Sequence, residues 1–203
     1  MTNTPAFYNE VPKITLYDPL AEFLGAAEGG VVEYGYLDAV KLAGHSCPTV
    51  AGAWLTTRKA LASLYGDELP ARGMIKVELR DGLADGVAGV IANVVGLITG
   101  AAQAGGFKGI GGKFDRRNLL HFNAEMGGEI RFTRLDTGAH AETGYHPELV
   151  PAAPGMKELM QKTMMGVASA EERREFGVLW QDRVKRILID HADDSGLVVV
   201  TRG

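Results

Sequence analysis

Apolar residues recur along this chain at two spacings, and the change from one to the other separates helices from strands. From Pro48 to about Tyr65 the period is helical. Val50, Trp54, Leu61 and Tyr65 form one stripe with Ala51, Leu55 and Ala62 beside it, and Gly66 closes the run. Upstream, Asp18-Pro19 is an N-cap followed by proline at the first helical position, which predicts a short helix ending at Gly29-Gly30. A second short helix is predicted over Tyr36 to Leu42. Between Met74 and Leu79 apolar and charged residues alternate, as in a half-buried strand. Asn118–Phe122, Glu129–Leu135, Ala139–Tyr145 and Leu197–Thr201 are further strand candidates. Ser169-Ala-Glu-Glu172 has the capping-box spacing and opens a last helix, with Phe176, Trp180, Val184, Ile187, Leu188 and His191 on one face.

The segment from about Gly86 to Ala102 is helical in period but has two unlike faces. Val87, Val90, Ile91, Val94, Val95 and Ile98 make an apolar stripe, while Gly86, Gly89, Asn93, Gly96 and Gly100 share the other side. A glycine inside a helix costs about 1 kcal/mol against alanine, so a glycine face needs a compensating reason. Two are open: close packing against another backbone, or a wall of a ligand cavity. Gly86 to Phe107 lacks any charged side chain and approaches the length of a bilayer span. Its glycines, Asn93 and Gln103 favour a buried helix instead.

These elements predict an α+β fold, with a mixed or antiparallel sheet packed on helices. The expected organisation is one domain over residues 1–203, with a core at about 18–145 and a helical C-terminal extension at about 151–203. The 203 residues are 46% apolar and 23% charged, enough for a substantial core. A net charge of −4 argues against nucleic acid or anionic lipid as partner. The N-terminus has no basic stretch leading into an apolar run, so no secretory signal is read there. One cysteine excludes an internal disulfide and fits a reducing, cytoplasmic setting.

Chemistry concentrates at Gly44-His45-Ser46-Cys47-Pro48. On a regular helix His45 and Cys47 would diverge by about 200°; in a turn feeding a helix they can converge. With Pro48 as the first helical residue, Cys47 is the N-cap, where free amides and the positive end of the helix dipole favour a thiolate. That suits a soft metal, or a Cys47 nucleophile with His45 as base. His121, on an expected strand, is the leading third ligand. His140, His146 and His191 read as structural or exposed.

The Gly-His-Ser-Cys-Pro element, followed by a helix and a strand, resembles the signature of the FmdE-like family, named for a component of formylmethanofuran dehydrogenase, with similarity from about Asp38 to Phe122. The resemblance implies an α+β fold, a homodimer, and zinc or another divalent transition metal near His45 and Cys47. It does not imply formylmethanofuran chemistry. Where that family often has His-Gly-His, this chain has Ala43, and Thr49 replaces the glycine common after Cys-Pro. A cysteine and an aspartate often found on the next helix correspond approximately to Gly86 and Gly89.

A glycine-rich basic loop, Gly105 to Asn118, completes the candidates. Its backbone can approach a ligand closely, and Lys108, Lys113, Arg116 and Arg117 supply positive charge for a phosphate or carboxylate. It lacks both the Walker and the dinucleotide-binding patterns. A mobile surface loop with solvated charges, pairing with Asp115, is the alternative. The resulting expectation is a metal-binding protein, an enzyme if the metal acts on a bound substrate, in which a small anion is held by Asn93, Lys113, Asp115, Arg116 and Arg117 above the Gly86–Gly100 face. The alternative is a non-catalytic metal- or metabolite-binding protein, or an accessory component of a larger enzyme.

Overall fold

The computed structural model describes residues 4–203. Its element order is β1 (Ile14–Tyr17), α1 (Pro19–Phe23), β2 (Val31–Tyr34), α2 (Tyr36–Ala43), α3 (Pro48–Tyr65), β3 (Ile75–Leu79), α4 (Ala88–Thr99), β4 (Leu120–His121), β5 (Ile130–Arg134), β6 (His140–Tyr145), α5 (Met156–Met164), α6 (Ala170–Lys185) and β7 (Val198–Arg202). Strands β1 and β2 form an antiparallel pair, and the other five form a mixed sheet in the order β4-β3-β5-β6-β7. Within that sheet β3 and β4 are parallel, and the remaining pairs are antiparallel. The fold is therefore α+β, as the alternation of periods predicts.

Helix α3 lies between the sheet and the other helices. It packs on β5, β6 and β7 on one side and on α2 and α4 on another. Every residue from Val50 to Thr57 is buried, so the helix is enclosed nearly all round in its first half rather than along one stripe. The hydroxyls of Thr56 and Thr57 are satisfied there by the carbonyls of Gly52 and Ala53, one turn back. Ala62, expected beside the stripe, is exposed, while Leu61, Leu64 and Tyr65 in the same turns are buried. Trp54 is fully buried, edge-on to Tyr36 at 6.0 Å, and Tyr36 in turn meets Tyr8 at 5.2 Å. Each such side chain contributes about 1.5–3 kcal/mol through burial.

Several boundaries differ from the sequence reading. Asp18 does cap α1, accepting from the amides of Leu20 and Ala21, but the helix ends at Phe23, with Gly25 at φ +66° soon after. The β1–β2 pair was not expected at all. Its strands are only four residues each and are joined through α1 rather than by a tight turn, so their pairing is set by contacts between segments apart in the chain. Helix α4 spans twelve residues rather than the seventeen from Gly86 to Ala102, because Gly86 (φ +51°) and Gly100 (φ +75°) lie outside helical geometry.

The C-terminal segment contributes residues to the core. Its capping box forms as read, with Ser169 Oγ accepting from Glu172 N and Glu172 accepting from Ser169 N. After α6 a π-helical turn over Arg186–Asp190 buries Ile187 and Leu188, and β7 pairs along β6. None of the helices among the described residues is long and apolar enough to cross a membrane.

Candidate functional site

Helix α2 ends on Gly44, which takes the left-handed conformation (φ +74°) and donates to Val40 O. The chain then runs extended through Cys47 (φ −150°, ψ 169°) into Pro48, the first residue of α3. Cys47 is the N-cap, as its position before proline predicts, and its Sγ accepts from Val50 N at 3.5 Å. It is 9% exposed, whereas His45 is exposed. Among the described residues no hydrogen bond joins the two, so the imidazole is not placed as a base for the thiol.

The Nδ1 of His45 bonds to the carbonyl of Ala43 at 3.0 Å. A carbonyl only accepts, so Nδ1 carries a proton, and in the neutral ring the lone pair is on Nε2. Ser46, between the two, is buried and holds the turn in place. Its Oγ pairs with the Tyr36 hydroxyl at 3.0 Å, and its carbonyl accepts from Trp180 Nε1 at 2.9 Å and Gln181 Nε2 at 3.2 Å.

Immediately beyond the turn is a cavity of about 220 Å³. Pro48 and Thr49 enter it from the first turn of α3, and Val87, Ala88 and Ile91 from the start of α4. Leu79, Ile130 and Tyr145, at strand ends, close the apolar wall, and Asp81 and Glu129 supply acidic groups. Tyr145 organises this corner. Its hydroxyl donates to Pro48 O at 2.9 Å, its amide donates to Glu129 Oε2 at 3.0 Å, and its ring lies against Gly52, where a Cβ would collide with it. Burial pushes the Tyr145 phenol above its ordinary range, so it stays protonated and donating. Arg80 lies 3.3 Å from Asp81 and 4.0 Å from Glu129, one guanidinium between two carboxylates.

At the other end of α4 the glycine-rich loop meets a different set of groups. Twelve residues at about 1.5 Å each put roughly 18 Å between the ends of this helix. Arg72 caps the C-terminus, its Nε donating to Ile98 O at 3.1 Å and its Nη2 to Leu97 O at 2.9 Å. Its Nη1 lies 2.9 Å from Asp18 Oδ2, and Arg116 Nη2 lies 2.6 Å from Asp18 Oδ1. Burial alone would raise the Asp18 carboxyl, but hydrogen bonds from Arg116 and then Arg72 outweigh it and hold the carboxyl below its ordinary value. Arg117 pairs with Asp115, whose carboxyl those hydrogen bonds lower to about 2.

Lys113, Asp115 and Arg116 line a cavity of about 400 Å³ with Arg72, Phe114 and Leu135. The loop reverses through Gly111 and Gly112, both at positive φ, between the bridged residues Ile110 and Lys113. Phe114 follows at φ +63°, a conformation that strains a bulky side chain, and its ring stacks on Phe23 at 5.3 Å.

No protein-family model and no curated protein matches this chain.

The expected single site is thus three places. The rigid length of α4 separates the His45-Cys47 turn from Lys113, Asp115 and Arg116. His121, on β4, bonds through Nε2 to Asn118 O at 2.8 Å and lines a third, open hollow with Gln103. Asn93 is exposed and lines neither cavity of α4. Among the described residues no three His, Cys, Asp or Glu side chains are grouped to hold a metal, the set His45, Cys47 and His121 included. On the glycine face of α4 a Cβ on Gly89 would lie 3.0 Å from Leu83 O and one on Gly96 would lie 3.0 Å from Ala101 O, whereas one on Gly86 would meet nothing.

Sequence reasoning missed Tyr145, Asp81, Glu129 and Ile91 as site residues. Alternation marked Tyr145 as a strand end and helical spacing marked Ile91 as apolar. Their convergence depends on how α3, α4 and the sheet stack.

Proposed function

We propose that this protein binds a small, mainly apolar molecule bearing an amine or similar donor group, in the cavity at the N-terminal ends of α3 and α4. The observation that carries this reading is the make-up of that cavity: hydrocarbon walls from two helices and three strands, with Asp81 and Glu129 sharing one guanidinium. Two carboxylates against one cation leave an excess of negative charge beside apolar surface, which complements a cationic or donating head on an apolar body. The volume of about 220 Å³ lies below the range of about 300–1,000 Å³ common for drug-sized ligands, so the occupant is fragment-sized.

A calorimetric comparison of phenethylamine with phenylpropionate tests it, on the wild type and on Ile91→Trp, which fills the cavity. The amine should bind the wild type and lose affinity at least tenfold in the variant (about 1.4 kcal/mol). Equal binding of the amine to both proteins, or binding of the acid that Ile91→Trp abolishes, would remove the assignment.

A second reading is the transition-metal site implied by the family resemblance. One observation favours it: the Ala43 contact leaves His45 Nε2 with a free lone pair at an exposed position, the arrangement by which a backbone acceptor orients a metal-ligating imidazole. Further ligands would come from outside this chain, as from a second copy. Elemental analysis of protein purified without added metal decides this, with about one equivalent of zinc per site and sharp loss in His45→Ala as the supporting result.

A further inference from the structure

We propose that the second cavity, at the C-terminal end of α4, binds a small organic carboxylate with an apolar body. This goes beyond the proposal above, since the two cavities lie at opposite ends of one helix.

The local charge is the first argument. The cavity lining carries Arg72, Lys113 and Arg116 against Asp115, with Asp18 bonded to the two arginines and Arg117 paired to Asp115, on a chain whose overall charge is −4. A positive excess on an acidic protein attracts anions to that spot. The capacity of the donors is the second. All three guanidinium nitrogens of Arg72 are engaged, by two helix carbonyls and Asp18. Arg116 instead spends Nη2 on Asp18 and leaves its buried Nε without a partner among the described residues. Lys113 is exposed on the cavity edge, and its three donors are unshared among the described residues.

The third argument is the remaining wall. Pro19, Met74, Phe114 and Leu135 are apolar, and Met74 and Leu135 are exposed, at 39% and 44%. An inorganic anion would leave that surface in water, whereas a carboxylate on an aromatic or aliphatic body covers it. Phe114 belongs to the same wall and is held in a strained backbone conformation, which places its ring beside the cationic groups.

Calorimetry with phenylpropionate, phenylpropionamide and inorganic phosphate on the full chain tests this. Phenylpropionate should bind. Its neutral amide and phosphate should each bind about tenfold more weakly, one for lack of charge and the other for lack of apolar contact. Lys113→Glu, on an exposed loop, should weaken phenylpropionate by a similar factor, whereas Ile91→Trp at the far cavity should leave it unchanged. Retained affinity in Lys113→Glu, equal binding of the amide, or equal binding of phosphate would each overturn the assignment. Loss of phenylpropionate binding in Ile91→Trp would move the acid to the other cavity and overturn it as well.

Discussion

The indole N–H of Trp180 donates to the carbonyl of Ser46 across 2.9 Å, joining residues 134 positions apart. Through this bond, seconded by Gln181, helix α6 holds the bend between α2 and α3 on which His45 and Cys47 sit. Trp180→Phe keeps most of the apolar contact and removes the donor. It should destabilise the protein by about 1 kcal/mol in a urea titration, since Gln181 still serves the carbonyl. Because the bend loosens, alkylation of Cys47 should also become faster than in the wild type. An unchanged alkylation rate would show that α6 does not restrain the turn.

Gly52 and Tyr145 form a second dependent pair. The phenol ring occupies the space that any side chain at 52 would need. Gly52→Ala should therefore be destabilising by about 1–3 kcal/mol, as overpacking in cores is, although alanine is by far the better helix former. Tyr145→Leu in the same protein should recover part of that loss. A double-mutant cycle in which the two effects simply add would refute the proposed collision.

Asp18 links folding to acid. Its carboxylate caps α1 and binds two guanidiniums, and its folded-state value lies below the ordinary 3.8. A lowered value means that the carboxylate's contribution is complete above pH 3.8 and is lost as pH falls from there through the folded-state value. Asp18→Asn should lose about 2–3 kcal/mol at neutral pH, because two half-buried cations are left without their anion. Its stability should then fall less on acidification than that of the wild type. Parallel acid-melting curves for the two proteins would contradict this account.

Cys47 has a structural task that can be separated from any chemical one. Its sulfur accepts the Val50 amide as an N-cap, which a hydroxyl does better. Cys47→Ser should therefore match or exceed the wild type in thermal stability, while Cys47→Ala loses about 1 kcal/mol. Where the serine variant is stable yet its metal content or ligand binding falls, the sulfur acts as more than a cap. Where both survive, capping is its whole contribution.

Local pattern carried much of this architecture. Helix α3 starts at Pro48 and ends before Gly66 because cap, proline and glycine act within a few residues of one another. The Ser169–Glu172 box and the alternation along β3 were legible for the same reason. The β1–β2 pair and the shortened α4 were not, since short strands and glycine-bounded ends draw their definition from neighbours.

The amino-acid order by itself determined the α+β class, the N-cap position of Cys47 and the basic character of the 105–118 loop. Each follows from side chains and backbone within one or two turns. Only the tertiary structure decided that the turn and the basic loop lie at opposite ends of α4, that Arg72 and Arg116 share Asp18, and that Tyr145 joins the end of β6 to the start of α3. Those relationships depend on how rigid elements stack, and stacking is settled by contacts between residues far apart in the chain, which no local spacing records.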